Sequence, residues 1–170
     1  MEKPDDKYIL AIRHNIAFAL SNLGRNKEAL LVYKDVFEKR KEILGIKHPY
    51  TLLTQGDMSV ILAKQESKYN DALDILKEVY KKQKEILGPN DPSTLTTQHN
   101  MGTMLLELGK YQKSLDVLNE VFDKRRRVFG SDHLTTLITS SQIAQVLFRQ
   151  NKYDECLKVL QETLKNLISL

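Results

Sequence analysis

The feature that most constrains the fold is repetition, because a short pattern returns about every 42 residues along the chain. The pattern aligns on a closing leucine, found at Leu30, Leu73, Leu115 and Leu157. A second landmark, a large apolar residue followed by glycine, recurs with the same period at Leu44-Gly45, Leu87-Gly88 and Phe129-Gly130. Such a period indicates stacked supersecondary units. We therefore expect one domain spanning residues 1–170, with repeats at approximately 7–45, 49–88, 92–130 and 134–170.

Each unit has the pattern of two amphipathic helices joined by a short turn. In the third unit, Leu95, Met101, Met104, Leu105 and Leu108 recur at three- and four-residue steps, and Leu115, Leu118, Val121 and Phe122 follow after a break at Gly109-Lys110. This spacing predicts a helical hairpin. Gly130 is expected to have left-handed backbone after the second helix, and Asp132 to cap the next one. The extra residue of the second unit, between Lys64 and Tyr69, predicts a loop insertion.

Small residues recur where two helices would have to approach closely. They are Ala17, Ser59, Gly102 and Ala144 on the first helices, and Ala29, Ala72, Ser114 and Cys156 on the second helices. With the Gly-x-Tyr corner at Gly109 to Tyr111, this pattern resembles the tetratricopeptide repeat, whose usual form has about 34 residues. The longer unit, with "LGPNDPSTL" and "LGIKHPYTL" between hairpins, is similar to the 42-residue variety of kinesin light chains and nephrocystin-3-like proteins.

The resemblance extends from Lys7 to Leu170 and implies an all-α fold, a right-handed α-solenoid of four helix-turn-helix repeats. A single hairpin cannot bury the apolar faces of both its helices, so neighbouring hairpins must stack. The sequence departs from the family pattern at three corners: Asn26 replaces tyrosine, and Glu66-Ser67 and Asn151 stand where glycine is expected.

Composition and charge narrow the class of protein. Hydrophobic residues make up 41% of the chain, and only 7 glycines and 4 prolines interrupt it, which favours a helical globular protein. The lone cysteine and the absence of a signal-peptide pattern predict a cytoplasmic location, and the short apolar runs predict no membrane span. The net charge of +4 arises from acidic and basic residues that are interspersed along the chain, so it does not by itself identify a class of binding partner.

The resemblance implies that the first helix of each repeat lines a concave groove that holds a peptide of a partner protein. The most uniform groove column is Asn15, Asp57, Asn100 and Gln142. Amides both donate to and accept from a peptide backbone, so such a column gives a sequence-tolerant grip. The resemblance carries this role to Asn15 and Asn100, and less directly to Asp57 and Gln142. The alternative is that the column braces neighbouring helices.

Flanking positions complete the predicted peptide-binding surface, which is amphipathic and nearly neutral. They are His14, Phe18, Val60, Lys64, His99, Thr103, Gln145 and Arg149. The preceding column, Ala11, Leu53, Thr96 and Ile138, lacks the cations with which related chaperone-binding repeats clamp a terminal carboxylate, which disfavours that role.

Other chemistries find little support. His14 and His99 stand two repeats apart, too far to share a metal ion, and groove contact or plain surface exposure is the preferred interpretation. Cys156 fills a small-residue position and needs no catalytic role. The basic run Lys124 to Arg127 ends a second helix, as does Glu38 to Lys41, so a solvated convex face is favoured over a nucleic-acid site. No catalytic or cofactor motif is present, so we expect neither an enzyme nor a cofactor.

The sequence thus predicts a non-enzymatic protein-protein interaction scaffold of the adaptor or cargo-recognition type. The alternative is a self-assembly module. Leu164, Leu167, Ile168 and Leu170 leave the last repeat without a polar cap, so either more protein follows in the natural chain or this face meets another copy. A third, weaker option is a convex basic surface that docks on nucleic acid or an acidic membrane.

Overall fold

The computed structural model describes residues 5–168, including all side chains of that range except those of Asp5 and Glu66. Within this range the protein has eight α-helices and no strands. They are α1 (Asp5–Asn22), α2 (Asn26–Leu44), α3 (Pro49–Glu66), α4 (Tyr69–Ile86), α5 (Pro92–Glu107), α6 (Tyr111–Phe129), α7 (Leu134–Arg149) and α8 (Tyr153–Ile168). The predicted all-α fold of tandem helical hairpins is confirmed. Leu170, the last residue of the predicted apolar run, lies outside the described residues.

Consecutive helices pack as hairpins, α1 with α2, α3 with α4, α5 with α6, and α7 with α8. The hairpins form two compact units, one within Met1–Ile86 and the other within Leu87–Leu170. Inside each unit, the second helix of the first hairpin packs on the first helix of the next, α2 on α3 and α6 on α7. The single domain and the four repeat boundaries remain a prediction.

The predicted small residues lie in the cores of the two units. All eight small positions are buried, and the side chains of Ala17, Ala29 and Ser114 are completely inaccessible. The closest approach is at Gly102, where an added Cβ would lie 2.7 Å from Cγ of Leu118. Around these positions the first unit packs Leu30, Tyr33 and Ile61, and the second packs Leu106, Leu115, Leu118, Ile143, Val146 and Leu147.

The corners between the two helices of each hairpin share one backbone conformation despite their different residues. Gly24 and Gly109 have φ angles of 74° and 68°, and the non-glycine residues Ser67 and Asn151 have φ angles of 53° and 61°. The departures from the family pattern at Ser67 and Asn151 therefore leave the turn intact. Strain is expected mainly at Ser67, since asparagine adopts this conformation more readily than other non-glycine residues.

The predicted loop insertion in the second repeat is wrong, because the helix absorbs it. Helix α3 has 18 residues, whereas α5 and α7 each have 16, and only Ser67 and Lys68 separate α3 from α4. Gln65 and Glu66 are good helix formers, and extending an existing helix adds one backbone hydrogen bond per residue.

Helix starts after the inter-repeat turns are capped by side chains. Asp91 Oδ1 accepts from the backbone N–H of Ser93 at 2.8 Å, and His48 Nδ1 accepts from Tyr50 N–H at 3.2 Å. The predicted capping by Asp132 is wrong: His133 immediately precedes α7, and its Nδ1 accepts from Thr135 N–H at 3.2 Å. Gly130 has the expected positive φ, 103°.

Candidate functional site

The candidate site is the surface formed in each unit by the two first helices, α1 with α3 and α5 with α7. In the first unit these helices meet where Nε2 of His14 lies 3.4 Å from Oδ2 of Asp57. In the second unit, α5 and α7 are also in contact. Each unit therefore presents its own two-helix wall, and the predicted peptide-binding residues are distributed over both walls.

The column Asn15, Asp57, Asn100 and Gln142 divides into two kinds of side chain. Among residues 5–168, no partner makes a hydrogen bond to the side chain of Asn15, which is exposed, or of Asn100, which is half-buried. Asp57 instead contacts His14, and Gln142 Nε2 donates to Gln145 Oε1 at 2.9 Å. Bracing thus describes Asp57, whereas Asn15 and Asn100 keep their amides available to a ligand.

The flanking predicted residues differ in how much of each side chain faces solvent. Phe18, Lys64, Gln145 and Arg149 are exposed, whereas Val60, His99 and Thr103 are half-buried. The Thr103 hydroxyl donates to the carbonyl of His99 at 3.3 Å, which satisfies it within its own helix. Nδ1 of His99 is buried and has no hydrogen-bond partner in the described part of the chain. Phe18, Lys64 and Arg149 thus leave an aromatic ring and two cations open to solvent.

His14 is buried, so the prediction of plain surface exposure is wrong for this residue. Nη1 of Arg40 lies 3.4 Å from His14 Nδ1, and the Tyr33 ring packs edge-on with its centroid 5.2 Å away. An Nδ1 that accepts from Arg40 leaves N–H on Nε2, the atom that lies nearest to Asp57. His14 therefore packs against Asp57 and has little surface left for a ligand.

The electrostatics of this pair favour neutral groups. Burial, followed by the charge of Arg40, lowers the pKa of His14 to about 4. Burial raises the pKa of Asp57 to about 7, and the attraction of Arg40 only partly opposes this rise. Near neutral pH the imidazole is uncharged, so the 3.4 Å contact between His14 and Asp57 is not an ion pair.

Two arginines that sequence reasoning assigned to a solvated convex face are buried, which corrects that prediction. Arg40 and Arg125 are each only 4% exposed. Nη1 of Arg40 donates to the carbonyl of Tyr50 at 3.0 Å and to Oγ1 of Thr54 at 2.7 Å. Their neighbours Lys39, Lys41, Arg126 and Arg127 are exposed, as predicted.

The second unit repeats the same contact with different residues. Nη1 of Arg125 donates to the carbonyl of Thr135 at 3.0 Å and to Oγ1 of Thr139 at 2.8 Å. The available signal was an arginine followed 14 residues later by threonine, present twice at an 85-residue offset. The contact requires the arginine to face inward. This orientation was not evident from the sequence, because the neighbouring residues are also charged. We call this arginine-carbonyl-threonine contact the junction contact.

The two units differ in the carboxyl group beside this arginine. Gln142 occupies in the second unit the position that Asp57 occupies in the first. Burial lowers the pKa of Arg125 to about 10.

In α4 the residue equivalent to Arg40 and Arg125 is Gln83. It is fully buried, and neither of its amide atoms has a hydrogen-bond partner among the described residues.

The remaining site predictions concern metals, thiols and membranes. Across residues 5–168 no three His, Cys, Asp or Glu side chains are grouped closely enough to hold a metal ion. Cys156 is buried in the second core, in the predicted small-residue position. None of the described helices is sufficiently long and apolar to cross a bilayer.

Comparison with known families matches the tetratricopeptide repeat over residues 9–50, 65–123 and 93–169. These matches cover most of the chain, which therefore belongs to the tetratricopeptide repeat family. Its repeats have a period of about 42 residues, longer than the usual form of the family. Repeats of this family are protein-protein interaction modules, and the comparisons give no evidence of catalysis. No curated protein matches the sequence.

Solved structures share the fold at low sequence identity. One contains TPR-like repeats of a Podosopora anserina protein provisionally described as a kinesin light chain, with 21% identity, a TM-score of 0.70, and coverage of 96% of this chain and 77% of that one. Another is BtubC (BKLC) from P. vanneervenii, with 12% identity, a TM-score of 0.78, and coverage of 99% and 67%. At these identities the likeness establishes the fold alone.

Proposed function

We propose that this protein is a non-enzymatic scaffold that binds peptide segments of partner proteins, each on the two-helix wall of one unit. The observation that carries the proposal is the pair of unengaged amides, Asn15 on α1 and Asn100 on α5. A reducing, cytoplasmic setting is consistent with the single, buried thiol of Cys156.

Each amide can make two hydrogen bonds to one peptide unit, because its oxygen accepts and its nitrogen donates. Such bonds recognise the peptide backbone and tolerate many side chains. Selectivity then comes from the exposed flanking groups, the Phe18 ring on the first wall and the Arg149 guanidinium on the second. His14 supports the first wall from beneath by packing against Asp57. Adaptor or cargo-recognition roles fit this design.

The test uses a peptide library displayed on phage and selected on the 170-residue chain, followed by titration of the selected peptides. The variant Asn15→Lys with Asn100→Lys replaces both amides by long cations that cannot accept hydrogen bonds. We expect it to weaken peptide binding at least about tenfold, or about 1.4 kcal/mol. Helicity and melting temperature should stay at wild-type values because neither side chain has a partner in the described structure.

A matched control changes one exposed asparagine on a second helix of each unit, Asn70→Lys with Asn119→Lys. This control adds the same charge away from the walls and should leave the peptide dissociation constants unchanged. Equal weakening by both double variants would show a general charge effect and reject the wall model. Undiminished binding by the Asn15 and Asn100 variant would reject it as well.

The second candidate function is self-assembly through the last helix. Helix α8 carries a row of half-exposed leucines, Leu157, Leu160, Leu164 and Leu167. Their three- and four-residue spacing places them on one face of the helix. A contiguous apolar face of this kind favours a protein-protein contact.

A further inference from the structure

The exposed face of α8 corresponds to a face that is covered elsewhere in the same unit. Leu157 and Leu160 are equivalent to Leu115 and Leu118 of α6, which are buried. Leu167 is equivalent to Arg125, which is 4% exposed and bonded to α7, whereas Leu167 is 53% exposed. The exposed face of α8 is therefore equivalent to the face of α6 on which α7, the first helix of the next hairpin, packs.

Helix α1 also has an exposed face, and the equivalent face of α3 is covered by a second helix, α2. Its residues Ile9 and Ile12 are equivalent to Thr51 and Thr54 of α3, which are inaccessible in the α2–α3 packing. Ile9 is 49% exposed and Ile12 is 60% exposed. Ile16, one turn further along the helix, is exposed as well. The exposed face of α1 is thus equivalent to the face of α3 on which α2, the second helix of the preceding hairpin, packs.

One pair of positions shows that these two faces match each other. In both internal packings an arginine meets a threonine, Arg40 with Thr54 and Arg125 with Thr139. The position equivalent to the arginine is leucine in α8, Leu167, and the position equivalent to the threonine is isoleucine in α1, Ile12. Both members of the polar pair are replaced by apolar residues, so an α8–α1 packing of the same geometry would place Leu167 against Ile12.

We propose that copies of this chain associate head to tail, with α8 of one copy packed on α1 of the next in the geometry of the α2–α3 and α6–α7 packings. The proposal rests on the second candidate function and goes beyond it by assigning the complementary face and the register. The occupant is a second copy because one chain carries both halves of the matched apolar pair. Such a heterologous contact does not pair a face with itself, so it allows open chains of copies.

Sedimentation velocity over a range of concentrations, from low micromolar to near millimolar, tests the association. We expect the wild-type chain to form a concentration-dependent series of dimers, trimers and larger species. Leu167→Arg should block the α8 face and Ile12→Arg the α1 face, so each variant alone should remain monomeric. Both residues are more than half exposed, and circular dichroism confirms that the variants are folded.

Mixing the two variants separates head-to-tail association from a symmetric contact. The Ile12→Arg chain keeps its α8 face and the Leu167→Arg chain keeps its α1 face, so the mixture should form one-to-one heterodimers and nothing larger. A monomeric wild type at every concentration overturns the proposal. Self-association of Ile12→Arg alone, or a mixture that stays monomeric, also overturns it.

A rescue variant tests the register. Leu167→Arg combined with Ile12→Thr rebuilds at the ends of the chain the polar pair found inside each unit. The introduced guanidinium can donate to the hydroxyl and to the carbonyl of Tyr8, which is equivalent to Tyr50. We expect this double variant to regain the association that Leu167→Arg loses, and failure to regain it overturns the register. Selected peptides should still bind Leu167→Arg, so a loss of association leaves the peptide-binding proposal standing.

Discussion

Arg40 and Arg125 show how one side chain can join two neighbouring repeats. Each guanidinium extends from a second helix to the following helix, where it donates to a carbonyl in the first turn and to a threonine hydroxyl in the second turn. Burying a cation is costly, and hydrogen bonds to charged groups recover about 1.5–3 kcal/mol each. The junction contact is therefore stabilising only while its acceptors are in place.

The mutation Arg125→Ala removes these donors and leaves a cavity where the side chain was. We expect the free energy of unfolding to fall by about 2–4 kcal/mol, because Thr139 and the Thr135 carbonyl lose a buried partner. Urea unfolding followed by circular dichroism measures this change. The control Arg127→Ala alters an exposed residue of the same helix and should change the free energy by less than about 0.5 kcal/mol. Similar losses from both variants would contradict the junction contact.

At the scale of the helices, the corners explain how the repeats tolerate irregular sequence. Every hairpin turns through one residue of positive φ, which is glycine at Gly24 and Gly109 but serine at Ser67. The helix before Ser67 is also the one that absorbed the extra residue. The second hairpin thus keeps the common turn at the expense of a strained residue.

The mutation Ser67→Gly should relieve this strain. Left-handed backbone costs a non-glycine residue about 1–2 kcal/mol, and glycine's larger conformational entropy in the unfolded chain offsets part of that gain. We expect the free energy of unfolding to rise by about 0.5–1 kcal/mol, as measured by thermal and urea unfolding. The reciprocal change, Gly109→Ser, places serine in a backbone of φ 68° and should destabilise the protein by a similar amount. A stabilising Gly109→Ser would show that corner strain is not the cause.

Much of the fold could be predicted from the sequence, since helix periodicity, small residues and turn residues are local signals that four repeats report together. The inward orientation of one arginine in each basic run could not be predicted, because it depends on a threonine in the following helix, such as Thr54 for Arg40. The environment of His14 was missed for the same reason, since Arg40 and Asp57 approach it from two other helices. The peptide-binding assignment of Asn15 and Asn100 remains a prediction.

At the scale of the whole molecule, the chain consists of two units that each have their own core. Tyr33 and Ile61 belong to the first core, and Leu118 and Val146 to the second. In repeat proteins of this kind, stability is approximately a sum of terms for each repeat and its neighbours. A local change should therefore affect its own unit more than the other.

The mutation Leu118→Ala tests this independence, because Leu118 is completely buried in the second unit. We expect a loss of about 3 kcal/mol and faster amide hydrogen exchange across α5 to α8, with smaller changes across α1 to α4. The equivalent change in the first unit, Leu76→Ala, should give the mirror-image exchange pattern. Uniform loss of protection along the chain in both variants would indicate one cooperative unit.

The acceptor that each buried arginine uses at the start of the following helix is a main-chain carbonyl, belonging to Tyr50 in one unit and to Thr135 in the other. Every amino acid has a main-chain carbonyl, so this hydrogen bond does not depend on the identity of the residue that accepts it. An aromatic ring and a small hydroxyl already stand at these two places. Replacing either residue therefore keeps the carbonyl contact, although at Tyr50 it also removes the ring whose centroid lies 5.4 Å from Cζ of Arg40.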